Sequence, residues 1–126
     1  MTDMALAAEL VRLPNTVMIG SQRLCVGTEE SDIDLCVYIK ELDDEHFYKL
    51  RPVKKQEYYD SLLMEHSVML NLDDLDVFVF SSLEKLKVVE LVMSIMEDYP
   101  KFVIRIKWVR VKIFRYLLRK YNFIEE

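Results

Sequence analysis

Residues 17–37 read VMIGSQRLCVGTEESDIDLCV, two apolar, β-branched ends around a polar middle. The run 16–20 (TVMIG) predicts a short buried strand that ends in Gly20-Ser21. There a residue without a side chain lets backbone N–H groups approach a phosphate, and a hydroxyl can bond a phosphate oxygen. Residues 21–31 read as polar loop, and 33–39 (IDLCVYI) as the next strand. Residues two apart on a strand share a face, so Asp32 and Asp34 project together while Ile33 and Leu35 enter the core. Neighbouring carboxylates both stay ionised at neutral pH only with positive charge between them. A hard divalent cation supplies it, and carboxylate and phosphate oxygens are what Mg²⁺ accepts. A third carboxylate, Asp76, lies in the strand-like run 75–80 (LDVFVF). A sheet that sets this run beside 33–39 brings Asp76 to the same edge. Three carboxylates can hold two metals across an in-line phosphoryl displacement.

Outward from this stretch, residues 4–13 (MALAAELVRL) have helical apolar spacing, with Thr2 or Asp3 as N-cap, and Pro14-Asn15 ends the helix. Pro52 precedes a helical stretch at 54–66. Residues 68–72 (VMLNL) and 75–80 form two strands around Asp73-Asp74, the turn of a hairpin. Ser81 followed by Glu84 reads as a capping box for a helix over 82–97, with Leu83, Leu86, Val89, Met93 and Met96 on one face. Pro100 opens a last element, 101–121, whose length favours one helix over a strand. Its apolar stripe is then Phe102, Ile106, Val109, Ile113 and Leu117, and its basic stripe Lys101, Arg105, Lys112, Arg115 and Arg119. The order αββαββαα describes one α+β domain over 1–126, a small mixed sheet with helices packed on it.

Composition agrees with one small domain. The chain has 126 residues, 52% hydrophobic and 31% charged, enough apolar surface for a core. No run is long enough to span a membrane, and no secretory signal is visible at the N-terminus. Cys25 and Cys36 with His46 and His66 match no zinc spacing, so the thiols read as reduced and the compartment as cytoplasmic. The net charge of −5 divides unevenly: residues 1–100 carry −11, while 101–126 carry +6, with no acid between 101 and 120. Such a basic element reads as a solvated face balancing an acidic body, a cationic wall for NTP phosphates or RNA, or a dock for an acidic partner. Trp108 and Tyr116 are available there for stacking.

Gly20-Ser21, then Asp32-Ile33-Asp34-Leu35 after about ten residues, resembles the signature of the nucleotidyltransferase superfamily with the DNA polymerase β-like fold. Gly27 and Glu30-Ser31-Asp32-Ile33-Asp34-Leu35 are similar to the minimal nucleotidyltransferases, including the antitoxin-like MNT proteins paired with HEPN partners. Asp76 matches the third carboxylate by position and strand context. The likeness spans residues 16 to 80, about half the chain. It implies a nucleotidyltransferase core, with Gly20, Ser21 and Arg23 holding an NTP triphosphate, ATP first among the candidates. Asp32, Asp34 and Asp76 would be both catalytic residues and the ligands of two Mg²⁺, with Asp76 helping to deprotonate the acceptor hydroxyl. The implied reaction moves a nucleoside monophosphate to a protein or RNA hydroxyl and releases pyrophosphate. A HEPN-like protein is one implied partner, and oligomers are compatible with the reading. The sequence departs from the pattern after Gly20-Ser21, where minimal members commonly carry Arg and this chain has Gln22 and then Arg23.

Plainer roles fit other residues. Asp73 and Asp74 suit a turn, Glu29 and Glu30 a solvated loop, and His46 and His66 the surface. Cys25 reads as a loop thiol and Cys36 as a small core residue. A function from a different class is a catalytically inactive module of the same fold that binds or inhibits a partner protein or nucleic acid.

Overall fold

The computed structural model describes residues 12, 15–27, 33–39, 63, 66–72, 75–80 and 82–123. The expected helix at 4–13, most of that at 54–66, the Asp73-Asp74 turn and the Ser81 cap lie outside the described residues, as does Asp32. Among the described residues four strands form one mixed sheet: β1 (Thr16–Ile19), β2 (Ile33–Tyr38), β3 (Ser67–Leu72) and β4 (Leu75–Phe80). Their spatial order is β1-β2-β4-β3. The outer pairs β1–β2 and β3–β4 are antiparallel, and the central pair β2–β4 is parallel. Among the described residues the helices are α1 (Gly20–Arg23), α2 (Leu83–Glu97), α3 (Lys101–Ile104) and α4 (Lys107–Lys120). The chain is therefore α+β, with helices against a small mixed sheet.

Alternation along the strands sorts side chains onto two faces. Val17, Ile19, Cys36, Phe78 and Phe80 join the core shared with α2 and α4. Ile33, Leu35, Leu75, Val77 and Val79 form a second buried cluster. Both central strands are apolar on both faces because both faces are covered, as parallel pairs require. Helix α2 buries Leu86, Val89, Val92, Met93 and Met96, leaving the expected Leu83 only partly buried and adding Val92. Its N-cap is Ser82, one residue beyond the expected Ser81: the Ser82 hydroxyl accepts from the Lys85 backbone N–H at 3.3 Å. Lys85 then occupies the third helical position, so Glu84 is not the reciprocal partner of a capping box.

The last element departs most from expectation. It is two helices, broken at Arg105-Ile106, where Ile106 turns extended (φ −83°, ψ 115°). The break resets the helical phase. Phe102 and Ile106, expected inside, are exposed, while Ile104, Val111, Phe114, Leu117 and Leu118 are buried. Neither proline nor glycine marks the break. Instead the Arg110 guanidinium donates to the carbonyl oxygens of Ile104 (2.9 Å) and Arg105 (3.4 Å), acceptors at the end of α3. Helix α4 ends in a Schellman turn: Asn122 is left-handed (φ 62°), and the Phe123 N–H reaches the Leu118 carbonyl at 2.8 Å. Phe123 thereby swings fully into the core, edge-on to Phe80 and to His66. His66, expected at the surface, is half-buried by that contact. Cys25 is exposed and Cys36 buried, and neither is in a disulfide. Among the described residues no helix is long and apolar enough to cross a membrane.

Candidate functional site

The strand β1 ends at Ile19 instead of Gly20, and the chain enters α1 at once, where polar loop was expected. The reversal needs Gly20 to take φ 78°, a left-handed backbone strained for any residue with a Cβ. Four residues carry no helical period, so the turn is invisible to a reading based on periodicity. The Val26 and Gly27 N–H groups both donate to the Ser21 carbonyl, at 3.0 and 3.1 Å, folding the following loop back over α1. A Cβ on Gly27 would sit 3.0 Å from Ser21 Oγ, so the absent side chain allows that close approach. Gly20, Ser21 and Gly27 therefore form one compact turn at the end of β1.

Beside that turn stand the carboxylates. Ile19 pairs with Asp34 across β1–β2, Asp34 with Asp76 across β2–β4, and Asp76 with Asn71 across β3–β4. These four residues form one row across the sheet. In-register residues of a parallel pair share a face and lie about 4.8 Å apart. Alternation gives Asp34 the face of Cys36 and Tyr38, and Asp76 that of Phe78 and Phe80, the side toward α2. Asp34 is 7% exposed and Asp76 8%. Two carboxylates this close and this deeply set are costly to keep jointly ionised without compensating charge. Oxygen donors in such a pair suit a hard cation such as Mg²⁺. Among the described residues no group of three or more acidic, His or Cys side chains gathers as a metal cage. The described contribution is the Asp34/Asp76 pair, and Asp32 falls outside it. Asn71, which sequence reasoning did not single out, is in the row only through its register with Asp76. No local motif signals it.

Arg23, expected at the phosphate, has other partners. Its guanidinium forks onto Glu90, with Nη1 to Oε2 at 2.5 Å and Nη2 to Oε1 at 2.9 Å. It also donates to Glu97 Oε1 from Nη2 (2.6 Å) and Nε (2.9 Å), and to the Met18 carbonyl at 3.1 Å. Burial works against the Arg23 charge, but the hydrogen bonds to Glu90 and Glu97 outweigh it and hold the guanidinium protonated beyond its ordinary range. Those same bonds hold the Glu90 carboxyl below its ordinary value, against partial burial. Arg23 is thus a strut joining β1 and α1 to α2. Glu90 and Glu97 lie seven apart on one helix face, a spacing visible in the sequence, although the arginine they meet is not.

The basic C-terminal residues divide by position. Lys101 Nζ donates to the Leu24 carbonyl just past α1. Arg110, Val111 and Phe114 line a small apolar cavity with Gly20, Leu24 and Met96, which seats the start of α4 beside the Gly20 turn. Arg105, Lys112, Arg119 and Lys120 are exposed. No family model, curated protein or solved structure matches the chain.

Proposed function

We propose that the chain is a minimal, Mg²⁺-dependent nucleotidyltransferase that moves a nucleoside monophosphate from an NTP, ATP first, to a protein or RNA hydroxyl. The observation that carries the reading is the row Ile19–Asp34–Asp76, in which two buried carboxylates stand level on adjacent parallel strands beside the Gly20-Ser21 turn. Asp34 and Asp76 would hold Mg²⁺ together with Asp32, and the cation would neutralise charge on the phosphoryl oxygens. The Gly20-Ser21 turn offers backbone N–H groups and a hydroxyl for the triphosphate. Asp76, the carboxylate from the second central strand, would accept the acceptor's proton. Arg23 has no phosphate role in this proposal, because Glu90 and Glu97 engage it. An antitoxin-like protein with a HEPN-like partner is the biological setting that the sequence resemblance suggests.

The test is transfer from each labelled NTP with Mg²⁺ to RNA and to candidate protein acceptors. Asp34→Asn and Asp76→Asn are each expected to lower transfer at least about 100-fold while circular dichroism shows the fold retained. Equal, background-level transfer by wild type and both variants would remove the enzyme reading. The engagement of Arg23 favours one second reading, a non-catalytic binding module of the same fold. In that case partner binding survives both substitutions.

A further inference from the structure

The solvent face of α4 carries Trp108, Lys112, Tyr116 and Arg119, spaced four, four and three residues apart. That spacing sets them in one stripe, opposite the buried Val111, Phe114, Leu117 and Leu118. Trp108 is 65% exposed and Tyr116 61%, large flat rings left in water about 12 Å apart along the helix. The Lys112 ammonium lies over the Trp108 ring, 5.2 Å from its centre. Phe102 on α3 and Arg105 just past its end are exposed as well. From 101 to 124 the chain has eight Lys+Arg and no acid.

From this stripe we infer that α4 is a binding face for single-stranded RNA. Charge selects a polyanion, and exposed rings select a polyanion with flat faces of its own. Unpaired bases provide those faces, whereas a duplex hides them in its stack. An acidic polypeptide would satisfy the cations and leave the rings without equivalent partners. The buried side of α4 packs beside the Gly20 turn through Arg110, Val111 and Phe114, so the stripe lies on the outer side of the helix. The inference rests on the transferase reading only in choosing RNA over DNA, since the proposed acceptor is an RNA or protein hydroxyl.

Trp108 is the chain's single tryptophan, so its fluorescence reports on this face alone. The experiment titrates the whole chain with an RNA of about ten nucleotides, without NTP or metal. Trp108 emission is expected to quench as RNA binds. Trp108→Ala and Tyr116→Ala, read by anisotropy of labelled RNA, should each weaken binding about 5- to 100-fold. Three phosphate contacts, from Arg105, Lys112 and Arg119, predict a loss of about 20-fold in affinity between about 50 and 200 mM salt, and Lys112→Glu or Arg119→Glu should flatten that slope. These positions are exposed, so helicity is expected to stay at the wild-type level. Unquenched emission, or wild-type affinity in both ring variants, overturns the inference. So does equal competition by polyglutamate of the same length, which assigns the face to an acidic protein. Emission that changes with protein concentration alone assigns it to a second copy of the chain. Tighter binding of the matching deoxy strand assigns it to DNA. Because binding is read without NTP or Mg²⁺, loss of transfer with intact RNA binding rejects only the transferase reading, and the reverse result rejects only this one.

Discussion

Replacing Arg23 with Met keeps most of the stem volume and removes the guanidinium that ties β1 and α1 to α2. Glu90 and Glu97 have side chains 45% and 47% exposed, so water screens both. Discounted for that screening, the carboxylate contacts together contribute about 1 kcal/mol, well short of a fully buried pair. Loss of the donor to the Met18 carbonyl adds about 1 kcal/mol. A total near 2 kcal/mol corresponds to a fall of about 7 °C in Tm for a chain of this length. The sign with pH follows from Glu90. Its carboxyl is depressed in the folded state, so the stabilisation is fully present above its unfolded value and is lost as pH falls through the folded one. The gap in Tm between wild type and Arg23→Met should be full at neutral pH and shrink below about pH 4. Thermal unfolding followed by circular dichroism at both pH values measures it. A variant that unfolds within about 1 °C of wild type at neutral pH would refute the strut. If NTP affinity fell at the same time, Arg23 would belong to the phosphate site instead.

Three further outcomes follow from backbone and cap geometry. Gly20→Ala places a Cβ on a backbone at φ 78° and should cost about 1–2 kcal/mol in urea unfolding; an unchanged midpoint would mean that the turn relaxes freely. Cys25 is exposed at φ 60°, so Cys25→Gly should raise stability by about 0.5–1 kcal/mol, and any loss would count against a strain argument there. Ser82→Ala removes the hydroxyl that caps α2 and should cost about 1 kcal/mol, read as a lower denaturant midpoint with an unchanged slope.

The strands were legible because their signals are local. Period-two alternation and β-branching give β4 its bounds at 75–80, and β2 and β3 differ from expectation by one residue at one end. Setting β4 beside β2 was the condition under which the sequence would bring Asp76 to the edge of Asp34; the parallel direction that levels the two was not legible. The structure supplies the register. What the sequence concealed depends on distant contacts. The break at Arg105-Ile106 has no breaker residue, and its freed carbonyls are taken up by Arg110, five and six residues onward. Read as one helix, the segment therefore placed Phe102 and Ile106 on the wrong face. Arg23 was ambiguous for the same reason. A cation after a Gly-Ser turn suits a phosphate or a carboxylate, and only the packing of α2 brings Glu90 and Glu97 to it.

The central β2–β4 pairing also bears on how the chain acquires its carboxylate pair. Every registered pair in it, from Ile33↔Leu75 to Tyr38↔Phe80, joins residues 42 apart in the chain. The antiparallel pairs β1–β2 and β3–β4 join much closer neighbours, so their closures sacrifice less chain freedom and can come early in folding. Asp34 and Asp76 belong to the pairing with the longest separation in the chain, so levelling them closes the largest loop in the sheet. Any cation affinity shared by the two carboxylates therefore depends on the central parallel seam, and neither antiparallel pair alone would supply it.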